Sequence, residues 1–197
     1  LKLVVIRHMK EASAQRLELE KGDVDIADNL TPDQIAAVAG NADIAVTTIP
    51  QALLYYIGFN TKMKELSDPK VRQALRYLID YDGMANSFLK GAAQVHQSFW
   101  AEGFWASYNE NPYTFDPAKA KALLAEAGYP NGFALALDAP NFAPFVNMAQ
   151  SVQSTFAEGG VTVNIVSSEM APMLTKYRAR EHQALMVYWG PDYMDPH

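Results

Sequence analysis

Apolar and polar residues alternate along the 197-residue chain in runs that switch between strand and helix periods. Leu1–Ile6 is aliphatic and β-branched and predicts a strand, followed by helix formers from Glu11 to Lys21 that stop at Gly22. Short strands are predicted at 24–28, 44–49 and 53–59, with a helix between the first two that opens on Thr31-Pro32-Asp33 and closes at Gly40. Asp68-Pro69 reads as a cap followed by a first-turn proline. The helix it starts places Val71, Ala74, Leu75, Leu78 and Ile79 on one stripe, with Arg72 and Arg76 on a solvated face. A helix over 81–90 ends at Gly91, and Asp116-Pro117 caps another over 118–127 that stops at Gly128-Tyr129-Pro130. Strand and helix then alternate: 133–137, 145–158, 161–166, 170–180 and 184–189. This order predicts an α/β fold, a mixed sheet flanked by helices, as a single domain over 1–197. Only residues 92–115 show no period, and they hold Phe99, Trp100, Phe104, Trp105, Tyr108 and Tyr113.

Composition narrows the function classes. Hydrophobic residues make up 49% of the chain and charged residues 19%, which suits a packed domain. The net charge is -6 and no basic stripe exists, so nucleic acid is not an expected partner. Without cysteine there is no disulfide and no thiolate metal site. The four histidines form no i, i+4 pair, and Asp23, Asp25 and Asp28 lack the glycine and glutamate of a calcium loop, so neither a metal nor a cofactor is expected. No apolar run reaches the about 18 residues of a membrane span, and no secretory leader opens the chain. Leu1 begins in a predicted strand and 187–193 runs from strand into turn, so both ends are expected to continue into a longer protein.

Several stretches carry a resemblance: Leu17 to Ala27 (LELEKGDVDIA), Ile57 to Thr61 (IGFNT), Asp68 to Leu75 (DPKVRQAL), Phe115 to Pro130 (FDPAKAKALLAEAGYP) and Trp189 to Pro196 (WGPDYMDP). In this order and spacing the chain resembles the family 5 (dipeptide, oligopeptide and nickel type) solute-binding proteins of bacterial ABC importers. The resemblance implies a periplasmic-binding-protein type II fold, of which 1–197 would be most of the second lobe, with the first lobe on either side in the parent. It also implies a periplasmic or extracytoplasmic location, a signal peptide in the parent, and the membrane subunits of an ABC transporter as partners. The ligand would be a peptide-like or other small solute, bound between lobes without chemistry. After Gly91 the sequence departs from the family's Gly and Pro-rich approach and reads AAQVHQSFW.

Five residues are candidates for the ligand site. Asp192 follows the last predicted strand, and open α/β sheets bind ligands outside the carboxyl ends of their strands. By resemblance it would hold a peptide's α-ammonium group; read as a residue alone, Pro191-Asp192 is ordinary turn chemistry. Tyr193 belongs to the same stretch. Tyr188 and Trp189 must face opposite sides of a regular strand, and Trp189 is assigned to the cleft. Phe99 and Trp100 are candidates for a ligand wall because they lie in a loop, where no regular face buries them. The competing class is a hydrolase using dispersed Asp and His residues, although no nucleophile elbow, phosphate loop or dinucleotide fingerprint is present. A sensory relative that kept the fold without transport is a further alternative.

Overall fold

The computed structural model describes residues 1–28, 30–49 and 51–190. Within the length expected to share one domain, two compact units form, 1–50 and 51–197.

In the smaller unit, α1 (Ala12–Lys21) stops at Gly22, whose φ of 80° lets its N–H reach the carbonyls of Glu18 and Leu19. α2 (Pro32–Val38) starts at Thr31, whose side chain accepts from Gln34 N at 3.4 Å, with proline in its first turn. Arg7 ties the leading segment to α1, donating to Glu18 at 3.3 Å and to the Asp23 carbonyl at 2.8 Å. The strands expected at 1–6, 24–28 and 44–49 do not form among the described residues. Leu1, Leu3, Val4, Val5 and Ile6 all stay exposed. β propensity is a preference for a half-buried pleated surface, and without a neighbouring strand to complete the ladder it forms nothing.

The larger unit is built on a four-stranded sheet of β1 (Leu54–Phe59), β2 (Ala134–Pro140), β3 (Thr162–Ser168) and β4 (Ala184–Trp189), in the order β1-β4-β2-β3. β2 runs parallel to both β3 and β4, while β1 is antiparallel to β4 with Leu54 opposite Trp189 and Phe59 opposite Ala184. The helices are α3 (Lys64–Ser67), α4 (Pro69–Tyr77), α5 (Tyr81–Asn86), α6 (Pro117–Glu126), α7 (Phe145–Glu158) and α8 (Met170–Arg178). Asp68 and Asp116 cap α4 and α6 by accepting from Lys70 N at 2.8 Å and Lys119 N at 2.9 Å, as the Asp-Pro pairs imply. The predicted stripe of α4 is buried at Val71, Ala74 and Leu75, with Leu78 just beyond it. Its arginines are not simply solvated. Arg72 donates to the Leu66 and Ser67 carbonyls, which α3 leaves open at its end, and Arg76 lies 5.1 Å from the Tyr113 ring centroid.

The main core packs α4, α6 and α7 onto one face of the sheet, where Phe145, Val152 and Phe156 meet Leu135, Leu137 and Met186. On the other face Met173 of α8 meets Leu185 and Val187, with Tyr56 beside them. Gly132 permits the close approach of the turns after α6 and α7: its φ is 68°, and a Cβ there would lie 1.8 Å from the Gly160 carbonyl oxygen.

A charged pair lies beneath α8. Asp138 of β2 is 2% exposed, and Lys176 donates to both of its carboxylate oxygens at 2.7 and 2.8 Å. His182, just before β4, is also buried and its Nδ1 has no partner among the described residues. Burial lowers its pKa, opposed by the Asp138 carboxylate. The folded state therefore takes up this proton less readily than the unfolded chain, and it loses stability as pH falls through the ordinary histidine range.

Replacing Lys176 with methionine leaves Asp138 buried without its partner. Lys176→Met should cost about 3 kcal/mol in urea unfolding, at the low end for a broken buried pair because Lys176 keeps some solvent contact. Asp138→Leu added to it should recover most of that loss. A single variant as stable as the wild type would contradict the pair's role.

Candidate functional site

The carboxyl ends of β2, β3 and β4 lie along one edge of the sheet, since the three strands run parallel. Trp189 is the last residue of β4 and stands at that edge opposite Leu54. Strand alternation separates the two neighbouring aromatics as the sequence implies. Tyr188 turns toward α7, with its ring 6.0 Å from Phe145 and 6.4 Å from Tyr55. Trp189 emerges on the face of α8 and meets the irregular loop.

There it stacks on Phe99, with centroids 5.3 Å apart and planes at 25°. Trp100 stands edge-on to Trp189 at 5.9 Å and to Phe99 at 6.2 Å, and Phe104 lies 5.7 Å behind Trp100. Tyr56 of β1 closes the other side, edge-on to Phe99 at 6.1 Å. The rings form a continuous wall in which Phe104 is buried while Phe99 remains 55% exposed. Three of the five predicted site residues, Phe99, Trp100 and Trp189, are thus brought together. Asp192 and Tyr193 lie outside the described residues. Tyr56 was not anticipated: it shares the face of Trp189 only through the antiparallel register of β1 with β4, which no local pattern encodes.

Side-chain amides fix the loop in place of a regular ladder. Gln97 donates to the Tyr113 carbonyl at 2.7 Å while Tyr113 N donates to Gln97 Oε1 at 2.8 Å, an exchange that imitates a strand pair. Asn111 accepts from Gln97 N at 2.9 Å and donates to the Val95 carbonyl. Nearer the wall, the Trp100 carbonyl accepts from Ser98 and Ser107 hydroxyls, each at 3.2 Å, and from His96 Nε2 at 2.5 Å. His96 therefore helps to position Trp100. A separate hollow of about 310 Å³ opens beside the start of α5, lined by Asp80, Asp82, Gln97 and Tyr113 among others. Neither Phe99, Trp100 nor Trp189 lines it. Tyr81 on its wall is pushed up to about 12 by burial, which keeps the phenol neutral.

Comparison with known proteins places the chain in a family. The family model described as bacterial extracellular solute-binding proteins, family 5 Middle, matches residues 1–197. The chain belongs to this family. It is 33% identical over 193 residues to the dipeptide-binding protein of Escherichia coli K12, covering 94% of the chain and 36% of that protein. To heme-binding protein A of Haemophilus influenzae it is 32% identical over 203 residues, 98% of the chain and 36% of the relative. Among solved structures, the ABC transporter-associated periplasmic binding protein DppA of Helicobacter pylori in complex with the peptide STSA superposes with a TM-score of 0.89 at 28% identity. That match covers 96% of this chain and 37% of the other. The family 5 chain thus spans little more than a third of these relatives, and it shares the periplasmic-binding-protein fold with a mixed sheet flanked by helices. The named relatives are binding proteins. No described helix is long and apolar enough to cross a membrane.

The stacked arrangement has a spectroscopic consequence. The chain has three tryptophans, and a Trp105→Phe background leaves Trp100 and Trp189, both in contact with Phe99. Phe99→Ala in that background should open both indoles to water and move their emission several nanometres to the red. An unmoved spectrum would contradict the wall.

Proposed function

We propose that the full-length protein containing this chain is the periplasmic or extracytoplasmic solute-binding component of an ABC importer. It holds a peptide-like or other small solute in a cleft between two lobes, and it delivers that solute unchanged to the transporter's membrane subunits. The observation that carries the reading is the aromatic wall at the carboxyl edge of β4, in a chain that belongs to family 5. A relative that binds dipeptides and a neighbour crystallised with a peptide support the ligand class. The unit over 51–197 then provides most of the second lobe, and the rest of the protein supplies the opposing face.

In this reading Phe99, Trp100 and Trp189 provide apolar surface for the solute, while Asp192 and Tyr193, three and four residues beyond Trp189 in sequence, supply polar contacts. Asp192 would accept charge-assisted hydrogen bonds from the solute's ammonium, a job that gains strength when a closing lobe excludes water. Binding and closure need no nucleophile. Hinge closure around the ligand is the conformational step on which transport depends.

The test is a charge-neutral change in the full-length protein. Asp192→Asn should weaken calorimetric binding of a dipeptide tenfold or more, about 1.4 kcal/mol. Unchanged affinity would contradict the assignment of Asp192.

A further inference from the structure

A second titratable group lies with the charged pair under α8. His182 is 6% exposed, its ring centroid is 5.1 Å from that of Tyr177, and its Nδ1 is sealed from water with no hydrogen bond among the described residues. A buried nitrogen left in this state costs free energy and contributes no bond.

Among the described residues, the charged and titratable groups around His182 are Asp138 of β2, Lys176 and Tyr177 of α8, and Arg180 in the turn between α8 and β4. Asn60, which follows β1, is neutral and donates to the Arg180 and His182 carbonyls at 3.1 and 3.0 Å. The strands on either side of Asp138 place Val166 and Leu185 opposite it, and neither ionises. One carboxylate therefore stands among several cations, and at present Lys176 holds both of its oxygens.

Lys176 and His182 differ in what they lose without that carboxylate. The Lys176 side chain is 35% exposed, and it lies in the last turn of α8, where a cation released to water still favours the helix dipole. A protonated His182 has no such exit, because its ring is buried and carries two donors to satisfy.

From this we infer that Asp138 exchanges partners in acid, releasing Lys176 and taking the protonated His182, and that α8 then loosens from β2. The proton comes from solvent, and the buried carboxylate keeps a cation throughout, so the exchange leaves no uncompensated buried charge. What changes is the element that is tied. Lys176 belongs to α8, whereas His182 belongs to the segment entering β4, which already pairs with β2 through Ala184 and Leu137. Burial lowers the pKa of His182, Asp138 opposes that, and Lys176 and Arg180 add to it, so the exchange takes place below histidine's ordinary value. α8 packs Met173 against Leu185 and Val187, so the helix that loosens is one that supports the strand ending in Trp189.

Hydrogen exchange of the full-length protein at about pH 5 and about pH 8, corrected for the intrinsic rate at each, tests this. In the wild type, protection of the α8 amides should fall about tenfold or more in acid relative to that of the α7 amides. In His182→Gln the ratio of α8 to α7 protection should be the same at both pH values. An NMR titration of the His182 ring supplies a second arm: Lys176→Met removes the competing cation and should raise the midpoint by about one pH unit or more, a tenfold change in proton affinity. The inference is overturned by a wild-type ratio that does not fall, by a fall that persists in His182→Gln, or by a midpoint that Lys176→Met leaves unmoved or lowers.

Discussion

The antiparallel pairing of β1 with β4 is the constraint on which the site depends. Six residue pairs from Leu54–Trp189 to Phe59–Ala184 set one register, and a slip by a single residue would exchange the two faces of β4. Trp189 would then point toward α7 and Tyr188 toward the loop. Tyr56, brought by the same pairing, meets Phe99 edge-on. The register is itself enforced from both sides, by Met186 and Ala184 in the main core and by Leu185 and Val187 against Met173.

Rigidity at the edge comes from a different source. The wall's loop has no ladder, and its backbone groups are met by Gln97, Asn111, Ser98, Ser107 and His96. A loop held by side chains keeps its rings available, because no second sheet covers them. The Asp138–Lys176 pair fixes α8 against β2 on the same face of the sheet, so a charge pair inside the protein holds the support of the aromatic wall.

Much of this was legible in the sequence, wherever the determinants are local. Asp68-Pro69, Asp116-Pro117, Thr31-Pro32 and Gly22 marked helix ends that depend on a cap, a fixed φ or a left-handed residue. The bounds of α7 and β4 matched their periodicity, and alternation placed Tyr188 and Trp189 on opposite faces. What failed was non-local. Leu1–Ile6 has strand composition but no ladder among the described residues, and Arg72 faces the end of α3, a contact that no spacing within α4 encodes. In the site, a loop of aromatics pointed to a wall, but the stacking order and the part played by Tyr56 required the sheet. The resemblance to family 5 rested on short motifs spread along the chain, and the family model extends it to every residue.

Closure on a solute that is then released unaltered is the central proposal for the full-length protein, and native mass spectrometry of that protein incubated with alanyl-phenylalaninamide tests it most directly. The proposal predicts a single adduct whose added mass is that of the dipeptide amide, with the same compound recovered intact when the protein is unfolded. Recovery of a cleaved or modified product, or a spectrum without any adduct, would contradict it.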